Sequence, residues 1–153
     1  MDPTQILFTS APQDFLALYR ADPMERIRLV KLGIPAKAVA AMSKRMGVPK
    51  ARLISTLGLS PSTVYRRARQ NISLSTGDSA RLLGLALLVG QVQQMVTESG
   101  DPAGFDAPSW VARWLQKPLP AFGGMQPAEF MDTADGQSLV SSTVASMQTG
   151  AYA

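Results

Sequence analysis

The sequence predicts an all-α chain, an N-terminal helix-turn-helix bundle followed by a small helical domain. Three observations carry that reading. No alternating β-branched run is bounded by Asn-Gly or Asp-Gly, apolar residues recur mostly at three- and four-residue steps, and Pro and Gly fall where helices would open and close.

Residues 1–22 read as a loosely attached arm with a short helical stretch near Asp14 to Tyr19. Pro23 can open a helix through about Leu32 that stops at Gly33. Pro35 then stands at a helix start, with Val39, Met42 and Met46 as an apolar stripe ending at Gly47. Pro49 opens the next helix, Leu53, Ile54 and Leu57 form its buried face, and Gly58 closes it. Ser60 is a good N-cap and Pro61 a good first helical residue, with Val64 and Ala68 as a one-sided seam. These two helices and their tight connection make a helix-turn-helix pattern.

Ser75, with Asp78 three residues on, predicts a variant capping box for the longest helix, about Thr76 to Thr97. That helix is apolar on nearly all sides, at Leu82, Leu83, Ala86, Leu87, Val89 and Val92, and so must be buried. Ser99 to Pro108, rich in Gly, Asp and Pro, is the natural boundary between two halves. The second half predicts a helix from Ser109 with Trp110, Val111, Trp114 and Leu115, and a short one from about Gln126 to Met131. A last helix from about Asp135 to Gln148 carries Leu139, Val140, Val144 and Met147 and ends at Gly150. The division is thus an arm at 1–22, a helix-turn-helix DNA-binding and dimerisation domain at 23–98, and a C-terminal domain at 99–153.

The composition narrows the function. With 46% hydrophobic residues the chain should fold. No run approaches the roughly 18 to 20 apolar residues of a membrane span, and the first ten residues lack a signal-peptide pattern, so a cytoplasmic location is the default. There is no cysteine and no histidine, hence no thiolate zinc site and no imidazole base. The eleven acidic residues are scattered without a pair suited to acid and base roles, which argues against an enzyme and implies no cofactor or metal.

Charge is segregated along the chain. From Arg26 to Arg81, twelve Lys and Arg stand against Asp78 alone, while both flanks are net acidic and the whole chain is +4. A basic centre lacking the acids that salt-bridged surface helices would carry fits a nucleic-acid contact, because neutralised phosphates release counterions. In a helix-turn-helix the second helix enters the major groove. With Val64 and Ala68 inward, Ser62, Thr63, Tyr65, Arg66 and Arg69 are left to reach bases, with Ser60 at the helix start, while Arg67, Lys50 and Arg52 are placed for phosphates.

The last 45 residues concentrate Trp110, Trp114, Phe122, Met125, Phe130 and Tyr152. Some complete a core on the long helix and others, Trp114 among them, face a partner. The terminal Gly150-Ala151-Tyr152-Ala153 either enters a partner's pocket or folds back onto the last helix.

The order of motifs resembles the Xre/MbcA/ParS-type antitoxins of bacterial type II toxin-antitoxin pairs. It runs Ser-x-x-Thr-Val-x-Arg-Arg, Leu-Ser-x-x-Asp-Ser-x-Arg-Leu, Trp-Leu-x-x-Pro, Phe-Gly-Gly-Met-x-Pro, Asp-Thr-x-x-Gly and Gly-Ala-Tyr-Ala. The likeness spans about Leu53 to Ala153, and the spacing from Trp114-Leu115 to Gly150 is its most specific part.

The resemblance implies an Xre-like N-terminal bundle, a homodimer, autoregulation through operator DNA, and a C-terminal domain that neutralises an NAD-consuming RES-domain toxin. The Phe122-Gly123-Gly124-Met125-x-Pro127 turn and the Gly150, Ala151, Tyr152, Ala153 tail would belong to the toxin-binding surface, the tail blocking the toxin's active-site mouth. Phe122 stands where the family has leucine and keeps the apolar character. The alternative is a stand-alone helix-turn-helix transcriptional regulator whose C-terminal half serves dimerisation; a neighbouring small toxin gene separates the two.

Overall fold

The computed structural model describes residues 13–148, in which eight α-helices form. They are α1 (Gln13–Arg20), α2 (Pro23–Leu32), α3 (Ala38–Met46), α4 (Lys50–Thr56), α5 (Pro61–Arg69), α6 (Thr76–Glu98), α7 (Ala107–Leu115) and α8 (Ala134–Gln148). Two short 3-10 turns, Pro120–Phe122 and Pro127–Phe130, lie between α7 and α8. No strand forms among the described residues; Pro35 and Ser73 make an isolated antiparallel bridge.

Helix α6 is the axis. Leu82, Leu85, Ala86 and Val89 are fully enclosed, so a helix apolar on nearly every side is surrounded by neighbours rather than laid on a surface. Helices α1 and α2 pack along it, and α7 and α8 cover it from the C-terminal half. One continuous core therefore joins Ile54 and Leu57 beneath the helix-turn-helix to Val111, Val140 and Val144. Each large side chain so enclosed contributes roughly 1.5 to 3 kcal/mol.

The segment containing α1 departs from the expectation of a loose arm. Phe15 and Leu18 are each 1% exposed, and α1 crosses α6 at Gly90. A Cβ at Gly90 would stand 2.7 Å from the Tyr19 Cβ and closer still to the Phe15 carbonyl, so glycine is what permits the crossing. The corner into α2 is stitched by Arg26, whose Nη1 donates to the carbonyls of Tyr19 (2.9 Å) and Ala21 (3.2 Å). Asp22 caps α2 by accepting from the Met24 N–H at 2.9 Å.

Several boundaries differ from the sequence reading, one for a tertiary reason and the rest for local ones. Pro35 does not start α3: the Leu74 N–H donates to the Ile34 carbonyl (2.8 Å) and the Ala36 N–H to the Ile72 carbonyl (3.1 Å), which holds Pro35 in a bridge to Ser73, and a turn at 36–37 leads into the helix at Ala38. The capping box at Ser75 is half formed. Ser75 Oγ accepts from the Asp78 N–H at 3.1 Å, but the Asp78 carboxylate turns to Arg81. Helix α7 begins at Ala107, with Pro108 in its first turn, where a missing N–H costs nothing. Where a helix from Gln126 to Met131 was expected, Pro127–Phe130 makes a 3-10 turn, with the Glu129 carboxylate accepting from the Gln126 N–H at 2.9 Å.

Candidate functional site

Helices α4 and α5, joined by Leu57 to Ser60, form the helix-turn-helix. Gly58 takes a φ of 67°, the left-handed turn that redirects the chain after α4. Leu59 is buried, and the Ser60 hydroxyl accepts from the Thr63 N–H at 3.4 Å as Pro61 starts α5. Val64 is buried and Ala68 packs against the core. Ser62, Arg66 and Arg69, at spacings of four and three, therefore share a solvent-facing line on the opposite side, with Thr63 and Tyr65 half-buried at its edges.

The cations around this line do not all have the same job. Lys50 sets its ammonium 5.2 Å from the centroid of the Tyr65 ring, clipping α4 to α5, and Arg52, two residues on, is exposed. Arg67, expected among the phosphate contacts, is instead turned inward: Nη1 donates to the Ser73 carbonyl at 2.7 Å, and Nε is buried without a hydrogen-bond partner. Its guanidinium is a clasp at the exit from α5. Arg45, a further member of the basic segment, lies 4.7 Å from the centroid of the Phe15 ring.

The second candidate surface is the turn from Leu119 to Pro127. The Gly124 N–H donates to the Leu119 carbonyl (2.9 Å), the Met125 N–H to the Phe122 carbonyl (3.1 Å) and the Leu119 N–H to the Met125 carbonyl (3.1 Å). Gly123 and Gly124 take φ of 63° and 86°, and a Cβ on either would meet nothing, so both face open space beside Met125, which is 45% exposed. Trp114, Phe122 and Pro127, expected on the partner face, are interior. Trp114 is 5% exposed and stacks on Trp110 at 5.9 Å between centroids, and Phe122 is 6% exposed with its ring 5.0 Å from that of Phe130. They build the underside of a knuckle whose outer surface is Gly123, Gly124 and Met125.

Gly150, Ala151, Tyr152 and Ala153 lie outside the described residues. The last described residue is tied down: Gln148 Nε2 donates to Glu98 Oε2 at 2.6 Å, and Gln94 Nε2 donates to Glu98 Oε1 at 2.5 Å. These two bonds, that from Gln94 first, with the Arg20 charge nearby, hold the Glu98 carboxyl below its ordinary range. The end of α8 is thereby tied to the end of α6.

Sequence reasoning missed the work done by the Asp78-Ser79-x-Arg81 motif. Ser79 is fully buried, and its hydroxyl accepts from the Ile34 N–H at 2.9 Å. The signal was an apolar helix face interrupted by a serine. Among the described residues, no group of His, Cys, Asp and Glu is gathered to hold a metal, and no helix is long and apolar enough to cross a membrane.

Residues 25–87 match the family model described as the antitoxin Xre-like helix-turn-helix domain. Residues 94–150 match that of the antitoxin Xre/MbcA/ParS C-terminal toxin-binding domain. The chain is also similar to the Prs ADP-ribosylating antitoxin of Sphingobium sp. (strain YBL2), at 45% identity over 142 residues, which are 93% of this chain and 89% of that one.

Proposed function

This chain belongs to the Xre/MbcA/ParS antitoxin family, and from that premise we propose that it neutralises a cognate RES-domain toxin while repressing its own operon through α4 and α5. The observation that carries the reading is the separation of two exposed surfaces on one core. A line of Ser62, Arg66 and Arg69 lies on one half, and the Gly123-Gly124-Met125 knuckle on the other.

The name of the Sphingobium relative ties it to ADP-ribosylation. Transfer of ADP-ribose draws on NAD as donor, so a toxin of the same chemistry would deplete NAD, in keeping with a RES-domain partner. The antitoxin itself is not an enzyme in this scheme. It acts by occlusion, with the knuckle docking on the toxin and residues 150–153 reaching its active-site mouth.

Repression would use a homodimer in the cytoplasm, because two copies of α5 are needed to meet two operator half-sites about 34 to 36 Å apart. The DNA-binding unit at 23–98 and the toxin-binding unit at 99–153 remain our working division, with Phe15 and Leu18 of the N-terminal segment packed into the shared core. Deletion of residues 150–153 tests occlusion. A truncated chain should still bind the toxin but no longer restore growth; full rescue by the truncated chain would refute the tail's role.

A further inference from the structure

One motif is used by neither surface. Asp78 and Arg81 stand on the first turns of α6, beneath the helix-turn-helix rather than in it. Arg81 Nη1 donates to the carbonyls of Leu57 (3.1 Å) and Gly58 (3.0 Å), the residues through which the chain leaves α4 and turns toward α5. The last carbonyls of a helix have no donor within it, so an outside cation fixes where the helix stops.

The guanidinium is itself held. Its Nη2 donates to Asp78 Oδ1 at 2.6 Å, and the side chain is 30% exposed. Behind it, the Arg81 carbonyl accepts from Gln137 Nε2 at 3.1 Å, and the same amide donates to the Met131 carbonyl at 2.9 Å. Gly84 leaves the room this amide occupies, and a Cβ on Gly58 would stand 3.0 Å from the Asp132 Cβ. The turn between the two helices is thus seated on α6 and on the C-terminal half together.

We propose that Arg81 is the positioning residue of the DNA contact, setting the angle at which α5 leaves α4 without touching DNA. The inference rests on the reading of α5 as the DNA-contacting helix. With Nη1 and Nη2 committed inside the chain, Arg81 makes no phosphate contact and so has no share in counterion release.

The test is fluorescence anisotropy on the full chain with a labelled duplex from upstream of its own coding sequence, titrated at several salt concentrations. Arg81→Gln should bind about tenfold more weakly with the slope of log K against log salt unchanged, and Arg81→Lys should recover part of the loss. Arg52→Ala, at an exposed cation placed for phosphate, should lower the slope by about one.

Arg81→Gln within about twofold of the unaltered chain would overturn the assignment. So would a slope that falls as for Arg52→Ala, which would mean a phosphate contact. Loss of far-ultraviolet helix signal in both Arg81 variants at the assay temperature would make Arg81 a residue of the fold alone and overturn it equally. If the unaltered chain binds this duplex no better than an unrelated one, the failure is that of the DNA reading itself.

Discussion

Phe15→Ala is the sharpest test of how the N-terminal helix belongs to this protein. The ring is 1% exposed and lies in the core shared with α6. Truncating a buried phenylalanine costs about 3 to 5 kcal/mol, the sum of lost transfer energy and the cavity left behind. The Arg45 guanidinium, 4.7 Å from the ring centroid, adds about 0.5 kcal/mol. A loss of about 4 kcal/mol is a large share of the 5 to 15 kcal/mol typical of a whole domain. With a urea m-value of roughly 2 kcal/mol per molar, the midpoint should fall by about 2 M with little change in slope.

Gly90→Ala approaches the same contact from α6 and should cost about 1 to 3 kcal/mol, because backbone rather than a flexible side-chain end must move. The two substitutions touch one another, so the double variant should lose less than the sum. Urea titration followed by circular dichroism reads both. A midpoint shift under about 0.5 M for Phe15→Ala would show that α1 contributes little to the core, and the packing argument would be wrong.

Trp114→Ala should destabilise the fold by about 3 to 5 kcal/mol, measured by the same titration, because the indole is interior and stacked on Trp110. Met125→Asp should leave stability within about 0.5 kcal/mol yet weaken toxin capture by about 2 kcal/mol in a binding assay, as the side chain is exposed on the knuckle. The Glu98 carboxyl should titrate below the ordinary glutamate range by NMR, and Gln148→Ala should move its midpoint upward. Because its folded value is lowered, the contribution of Glu98 to stability is present above the ordinary glutamate value and fades as pH falls through the lowered one.

What could be read from the sequence was local. Ser60 and Pro61 announce the start of α5 by chemistry confined to a few residues, and Gly47 and Gly58 announce helix ends by the φ values they alone take easily. Pro35 misled because its bonding partners lie near Ser73, on a segment far along the chain. The short helical stretch near Asp14 to Tyr19 was visible, but its complement, the bare backbone at Gly90, becomes meaningful only once α1 and α6 cross.

The candidate sites divided along the same line. On α5 the inward positions were legible from helical period, so the outward ones followed, except that Arg67 found a carbonyl across the exit turn. In the C-terminal half the aromatic residues carry no period long enough to assign a face. Trp114 and Phe122 proved interior while Met125 did not. Burial there is decided by α6 and by the Phe122–Phe130 pair, not by neighbours in sequence.

Co-expression of the chain with the product of the adjacent gene, followed by pull-down, growth and intracellular NAD measurement, tests the antitoxin account most directly. The account predicts a stable complex, with growth and NAD restored when the chain is present. Absence of both complex and rescue, alongside retained binding to its upstream DNA, would contradict it and leave a transcription regulator whose C-terminal half has another use.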